Sequence, residues 1–112
     1  MNPPLRKRVL LFLVATVALQ GCHRNQDWVK ETTAIINRAL KPGDPVSKVE
    51  AFLNAHGYPI NYNPFDNRYE SGDPRSKHYT APGVEAVVTF NINLNADKTF
   101  KSAEVRMTYT SL

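Results

Sequence analysis

The eleven residues from Val84 to Leu94 alternate strictly enough to dictate a half-buried strand. Val84, Ala86, Val88, Phe90, Ile92 and Leu94 fall on one side, and Glu85, Thr89, Asn91 and Asn93 on the other. Lys101, Ala103, Val105, Met107 and Tyr109 then alternate with Ser102, Glu104, Arg106 and Thr108. Asn95-Ala96-Asp97-Lys98 between the two runs is turn chemistry, so a hairpin is expected. Pairing Asn95 with Lys98 sets Phe90 opposite Ala103, Val88 opposite Val105 and Ala86 opposite Met107. A one-residue slip would expose every apolar side chain, which specifies the face. On the opposite face, Glu85 comes diagonal to Arg106 as a solvated ion pair worth little.

Two helices precede this hairpin. Over residues 26–40, Trp28, Val29, Thr32, Ile35, Ile36, Ala39 and Leu40 recur at three- and four-residue steps and form one apolar stripe. Asn25 or Asp27 suits its start, and Pro42-Gly43 ends it. Asp44 suits the N-cap of the second helix and Pro45 its first position. Val46, Val49, Phe52 and Leu53 form the buried face, Gly57 is the terminator and Pro59 blocks continuation. The short link between the helices implies a helical hairpin.

Residues 60–83 are less patterned. Ile60 to Tyr62 and Asn67 to Glu70 read as strand pieces around Asn63-Pro64-Phe65. Ser71 to Gly83, rich in Gly, Pro, Ser and charge, reads as a long loop. The expected fold is α+β: two N-terminal helices packed on one face of a small two- to three-stranded antiparallel sheet.

The N-terminal segment has another character. Arg6, Lys7 and Arg8 precede an apolar run of 11 residues, Val9 to Leu19, too short to span a bilayer, and Gly21 is a small residue before a cut. Cys22 is the sole cysteine of the chain. The Leu19-Gln20-Gly21-Cys22 ending resembles the lipobox of bacterial lipoproteins. That resemblance implies cleavage between Gly21 and Cys22, a diacylglycerol on the Cys22 thiol and an acyl chain on the new amine. The expected organisation is a signal peptide over 1–21, an acylated tether over 22–25 and one periplasmic domain over 26–112. His23 after the acylated position, where Asp would retain such a protein at the inner membrane, implies the outer membrane of a Gram-negative envelope. The tether spans at most about 14 Å when extended, which keeps the domain close to the bilayer.

Removing 21 of 112 residues leaves 91, room for one small domain with a thin core. Three of the 14 basic residues leave with the signal, so 11 face 10 acidic ones and the formal charge is +1. Nothing in that balance calls for a nucleic-acid partner. With Cys22 committed to lipid, no disulfide supports the fold.

The order of lipobox, tether, two helices and antiparallel strands resembles the SmpA/OmlA (BamE-like) family of small outer-membrane lipoproteins. Gly43, Asp44, Val49, Leu53, Gly57 and Pro59 stand in the order of that family's second-helix signature. Its following aromatic strand matches Asn67 to Glu70 with Tyr69, and its closing hairpin matches Val84 to Tyr109. The resemblance implies a non-catalytic accessory or scaffold that binds a protein partner of the envelope. The other reading is a lipid-anchored inhibitor or immunity protein that blocks a periplasmic hydrolase or toxin, with the 63–83 segment as a plug.

No catalytic constellation is visible. His23, His56 and His78 lack metal-ligand spacing, and no nucleophile motif or phosphate loop occurs. No metal and no cofactor beyond the covalent lipid is expected, and an enzyme is not. Tyr62, Phe65, Arg68, Tyr69, Arg75, Lys77, His78 and Tyr79 interleave aromatics with cations, a composition suited to an interface. Phe65 and Tyr69 read as core. Arg75, Lys77 and Tyr79, with Arg106 on the polar sheet face, are the candidate partner-binding residues.

Overall fold

A computed structural model describes residues 25–111. The signal segment, the Gly21–Cys22 cleavage position and Cys22 itself lie outside the described residues. Helix α1 covers 25–39 and α2 covers Val46–Ala55. Strands β1 (Tyr62–Asn63), β2 (Arg68–Ala81), β3 (Val84–Leu94) and β4 (Phe100–Ser111) follow, antiparallel and side by side in chain order.

The stripe on α1 buries Thr32 and Ile36, with Leu40 just past its end. The Lys41 ammonium donates to the Asn37 carbonyl at 2.8 Å, a cation placed on the negative end of the helix. Gly43 then turns with φ +93°. Asp44 is not the N-cap expected for α2: no side chain caps that helix, and Pro45 takes the cap position in extended conformation. The Asp44 carboxylate instead turns back to accept the Lys41 N–H at 2.7 Å and to pair with Lys48 at 3.1 Å. Those donors hold its pKa below the usual carboxylate value. At the other end of α2, Gly57 (φ +70°) donates to Asn54 O, and Tyr58 N–H reaches back to Leu53 O. This pair of bonds is the Schellman closure, and the ring of Tyr58 seals it against Phe52 with centroids 5.9 Å apart.

The sheet corrects the expected architecture. It has four strands rather than two or three, and it curls. The helices do not form a plain second layer packed on one face. They meet the strands through one side-chain cluster, in which Ile36, Leu40, Val49, Phe52 and Leu53 join Tyr58, Tyr69, Phe90, Ile92, Leu94 and Phe100. The extra strand length comes from 71–81, expected as loop and found as the continuation of β2. Its pairing with β3 is interrupted between Asp73 and His78. There Ser76 substitutes for backbone: its hydroxyl accepts the Val88 N–H at 2.8 Å and donates to Asp73 O at 2.7 Å. A strand containing Pro74 is tolerated because β1 stops at the level of Arg68 and Tyr69, leaving the proline on an open edge.

The closing hairpin keeps its expected faces but not its register. Phe90 lies opposite Val105, Val88 opposite Met107 and Ala86 opposite Tyr109, two residues from the expected pairing. Two one-residue steps cause this. Asn95 pairs with Thr99 rather than Lys98, with Lys98 in the left-handed region at φ 62°. A bulge between Asn93 and Leu94 on one strand, Ser102 and Phe100 on the other, adds the second step. Two single slips cancel in parity, so the apolar set returns to the core side. Glu85 consequently pairs with Lys77 at 3.3 Å rather than lying diagonal to Arg106.

Phe65 is the other correction. Expected in the core, it is 96% exposed at the tip of the β1–β2 turn, whereas Tyr69 is buried as expected.

Gly72 marks the tightest backbone approach, since a Cβ placed there would stand 2.8 Å from the Val88 carbonyl oxygen. Gly72→Ala therefore forces β2 from β3. A loss of about 1–3 kcal/mol is expected, read as a fall in Tm of roughly 5–20 °C in a thermal melt.

Candidate functional site

The alternation of β3 and β4 delivers two unlike faces. Ala86, Val88, Phe90, Ile92 and Leu94 are buried on the helix side. Thr89, Asn91, Arg106 and Thr108 stand on the other, where the sheet's curl makes a groove of about 470 Å³. Pro59, Asn61, Arg68, Glu70, Ser71 and Gly72 complete its walls. A second depression of about 270 Å³ shares Pro59 and Gly72 with the first and adds Pro74, Lys77, Glu85 and Val87. The two adjoin along Pro59 and Gly72 and together make a trough on this face.

Its charges are positioned by short bonds. The Asn63 amide donates to Glu70 Oε1 at 2.8 Å and the Arg68 Nε donates to the same oxygen at 3.1 Å. Those two donors, with the charge of Arg106 behind them, hold the Glu70 carboxyl below its usual range. Thr89 and Thr108 share a hydroxyl–hydroxyl bond on the floor. Asn91 is 5% exposed and lines the same groove.

The four sequence-predicted residues separate. Lys77 and Arg106 line the trough, and Tyr79, 68% exposed, sits at the register position opposite Glu85 on the same face. Arg75 does not join them. It lies in a different cleft of about 390 Å³, with Trp28, Glu31, Thr32 and Ile35 of α1, His56 and Asp73. There its Nε donates to the buried Asp73 carboxylate at 3.2 Å, which raises the Arg75 pKa. Near the same cleft the Tyr58 hydroxyl is buried without a hydrogen-bond partner among the described residues, and burial pushes its pKa up. The sequence reading missed Asn91, Glu70 and Gly72. Only the position of Asn91 in the polar half of the alternation pointed to it.

The other end of the site is set by α1. The Asn25 side chain donates to the Tyr109 hydroxyl at 3.4 Å, and its Oδ1 lies 3.0 Å from His78 Nε2. The His78 Nδ1 lies 2.6 Å from the Ser76 carbonyl. Asn25, the first described residue, therefore stands beside His78 and Tyr109. Phe65 stands at the opposite end, about 26 Å away along β3 from Ala86 to Leu94.

Among the described residues no group of three or more His, Cys, Asp and Glu side chains comes together, and no helix is long and apolar enough to cross a membrane. Comparison with protein-family models, with curated proteins and with solved structures returns no match.

Proposed function

We propose that the chain is a lipid-anchored, non-catalytic binding module of the bacterial envelope. Cys22 holds it to the outer membrane, and the trough on the outer face of the sheet docks an envelope protein. The observation that carries the docking assignment is the groove of about 470 Å³ on this face, lined by Arg68, Glu70, Asn91 and Arg106. The trough pairs fixed polar groups with the exposed Tyr79, a residue type that combines large contact area with a polar tip. The resemblance to the SmpA/OmlA family supports an accessory role in outer-membrane assembly.

Alanine at Lys77, Tyr79 and Arg106 together is expected to leave the fold intact, because all three are exposed. The variant should melt within a few degrees of wild type yet lose the protein that a tag at Leu112 retains from detergent-solubilised membranes. Retention of that protein by the folded variant would move the docking surface elsewhere.

Phe65 favours the second reading, a lipid-anchored inhibitor. Its turn is rigid: Asn63 Oδ1 accepts the N–H groups of Phe65 and Asp66 at 3.0 and 3.3 Å. Asn67 braces the turn from the other side by donating to Asn95 O at 2.9 Å. A preorganised turn presenting a bare aromatic suits insertion into a pocket of a target enzyme. On this reading Phe65→Ala abolishes binding to a single soluble partner. On the docking-face reading it has no effect.

A further inference from the structure

Strand β4 ends the sheet, and beyond Phe100 no strand lies beside its outer edge among the described residues. Among the described residues that edge is closed at Phe100 alone, where Gly43 N–H and Asp44 O bond its carbonyl and N–H at 2.9 and 2.7 Å. The opposite edge of the sheet is built to refuse a neighbour. Past its short pairing with β1, β2 carries Pro74, which has no N–H, two register shifts before Ala81, and the cations Arg75 and Lys77. From Ser102 to Ser111, β4 carries no Pro, no Gly and no bulge, and it stays in regular register with β3. One edge is protected and the other is left ready to pair.

The sequence along that edge is complementary to itself. Glu104 and Arg106 stand two residues apart on the outer face, exposed, and neither has an ion-pair partner among the described residues. We propose that β4 pairs antiparallel with β4 of a second copy about a two-fold axis at Val105, forming one continuous eight-stranded sheet. This register sets Glu104 of each copy opposite Arg106 of the other, twice. Ser102 meets Thr108 on the same face. On the helix side Val105 meets itself and Ala103 meets Met107. Lys101 meets Tyr109, and its aliphatic stem covers the cleft of about 310 Å³ between Val29, Met107 and Tyr109. Shifting the axis by one residue either way puts Glu104 against Glu104 or Arg106 against Arg106, and like charges directly opposite are unfavourable. The overlap ends at Tyr109, because the 43–44 segment blocks the backbone of Phe100. The interface is isologous and closes on itself, so it gives a dimer rather than a fibre. It also joins the two troughs, with Arg106 of each copy at the seam.

The test uses the full chain purified in detergent and does not depend on whether Cys22 is acylated. The wild type is expected to sediment as a dimer. Val105→Cys should form an intermolecular disulfide on mild oxidation, because directly opposed residues lie within about 4.5–5.5 Å between Cα atoms. Wild type, with Cys22 as its one cysteine, is the control. Glu104→Arg should reduce the cross-linked and dimeric fractions roughly tenfold by replacing two favourable pairs with two like-charge pairs. Glu104→Arg with Arg106→Glu should restore both. A wild type that sediments as a monomer at all concentrations overturns the proposal, as does an unchanged dimer in Glu104→Arg. Cross-linking of Val105→Cys only to a different protein also overturns it, and assigns the edge to a foreign strand.

Discussion

Phe90→Ala is expected to bring the domain to the edge of unfolding. Phe90 is 1% exposed at the centre of β3, and its ring packs edge-on against Tyr58 with centroids 5.2 Å apart. Tyr58 in turn stacks on His56 and meets Phe52, so one side chain joins the sheet to the closure of α2. Deleting the ring removes its transfer free energy and leaves a cavity that the Schellman turn cannot collapse into, a cost of about 3–5 kcal/mol. A domain of this size holds about 5–10 kcal/mol in total. A fall in Tm of roughly 15–30 °C is the expected reading by circular dichroism. A melt within a few degrees of wild type would show that the core does not centre on Phe90. Val105→Asp, by contrast, should be milder, since Val105 is half-buried on the edge strand rather than enclosed.

The elements whose pattern is set by burial were readable in the sequence. The stripe from Thr32 to Leu40, the buried face Val49, Phe52 and Leu53, and the alternation through β3 each follow from one apolar side meeting the same core. Gly57 was readable as a terminator because its positive φ has a local cause. What escaped is what side chains do in place of backbone. The 71–81 stretch looks like loop by composition, yet Ser76 supplies the hydrogen bonds that the interrupted ladder omits. Phe65 looks like core by hydrophobicity, but Asn63 and Asn67 shape a turn that holds it in solvent. The hairpin register moved by two because Lys98 adopts a left-handed conformation usually given to Gly or Asn and a bulge follows between Phe100 and Ser102.

The candidate site followed the same division. Arg106 was placed correctly on the polar face, since parity survives an even shift of register. Arg75 was grouped with Lys77 and Tyr79 by proximity in sequence. The bulge between Asp73 and His78 turns it instead toward α1 and into contact with Asp73. Asn91 became a candidate only when curl of the sheet made a groove over it.

Cys22→Ser is expected to abolish membrane association altogether. Asn25, the first described residue, is tied to His78 and Tyr109. No helix among the described residues is long and apolar enough to cross a bilayer. Two or three acyl chains on Cys22, at about 0.8 kcal/mol for each buried methylene, would bind the chain firmly, and the substitution removes the thiol that would carry the first of them. The decisive measurement is fractionation of cells with intact-mass analysis of the wild type and Cys22→Ser. The wild type should sediment with membranes as residues 22–112 carrying the mass of diacylglycerol and an acyl chain. The variant should be soluble or remain as the uncut precursor. A Cys22→Ser protein that still sediments with membranes at the mature mass would contradict the lipid anchor and the docking geometry built on it.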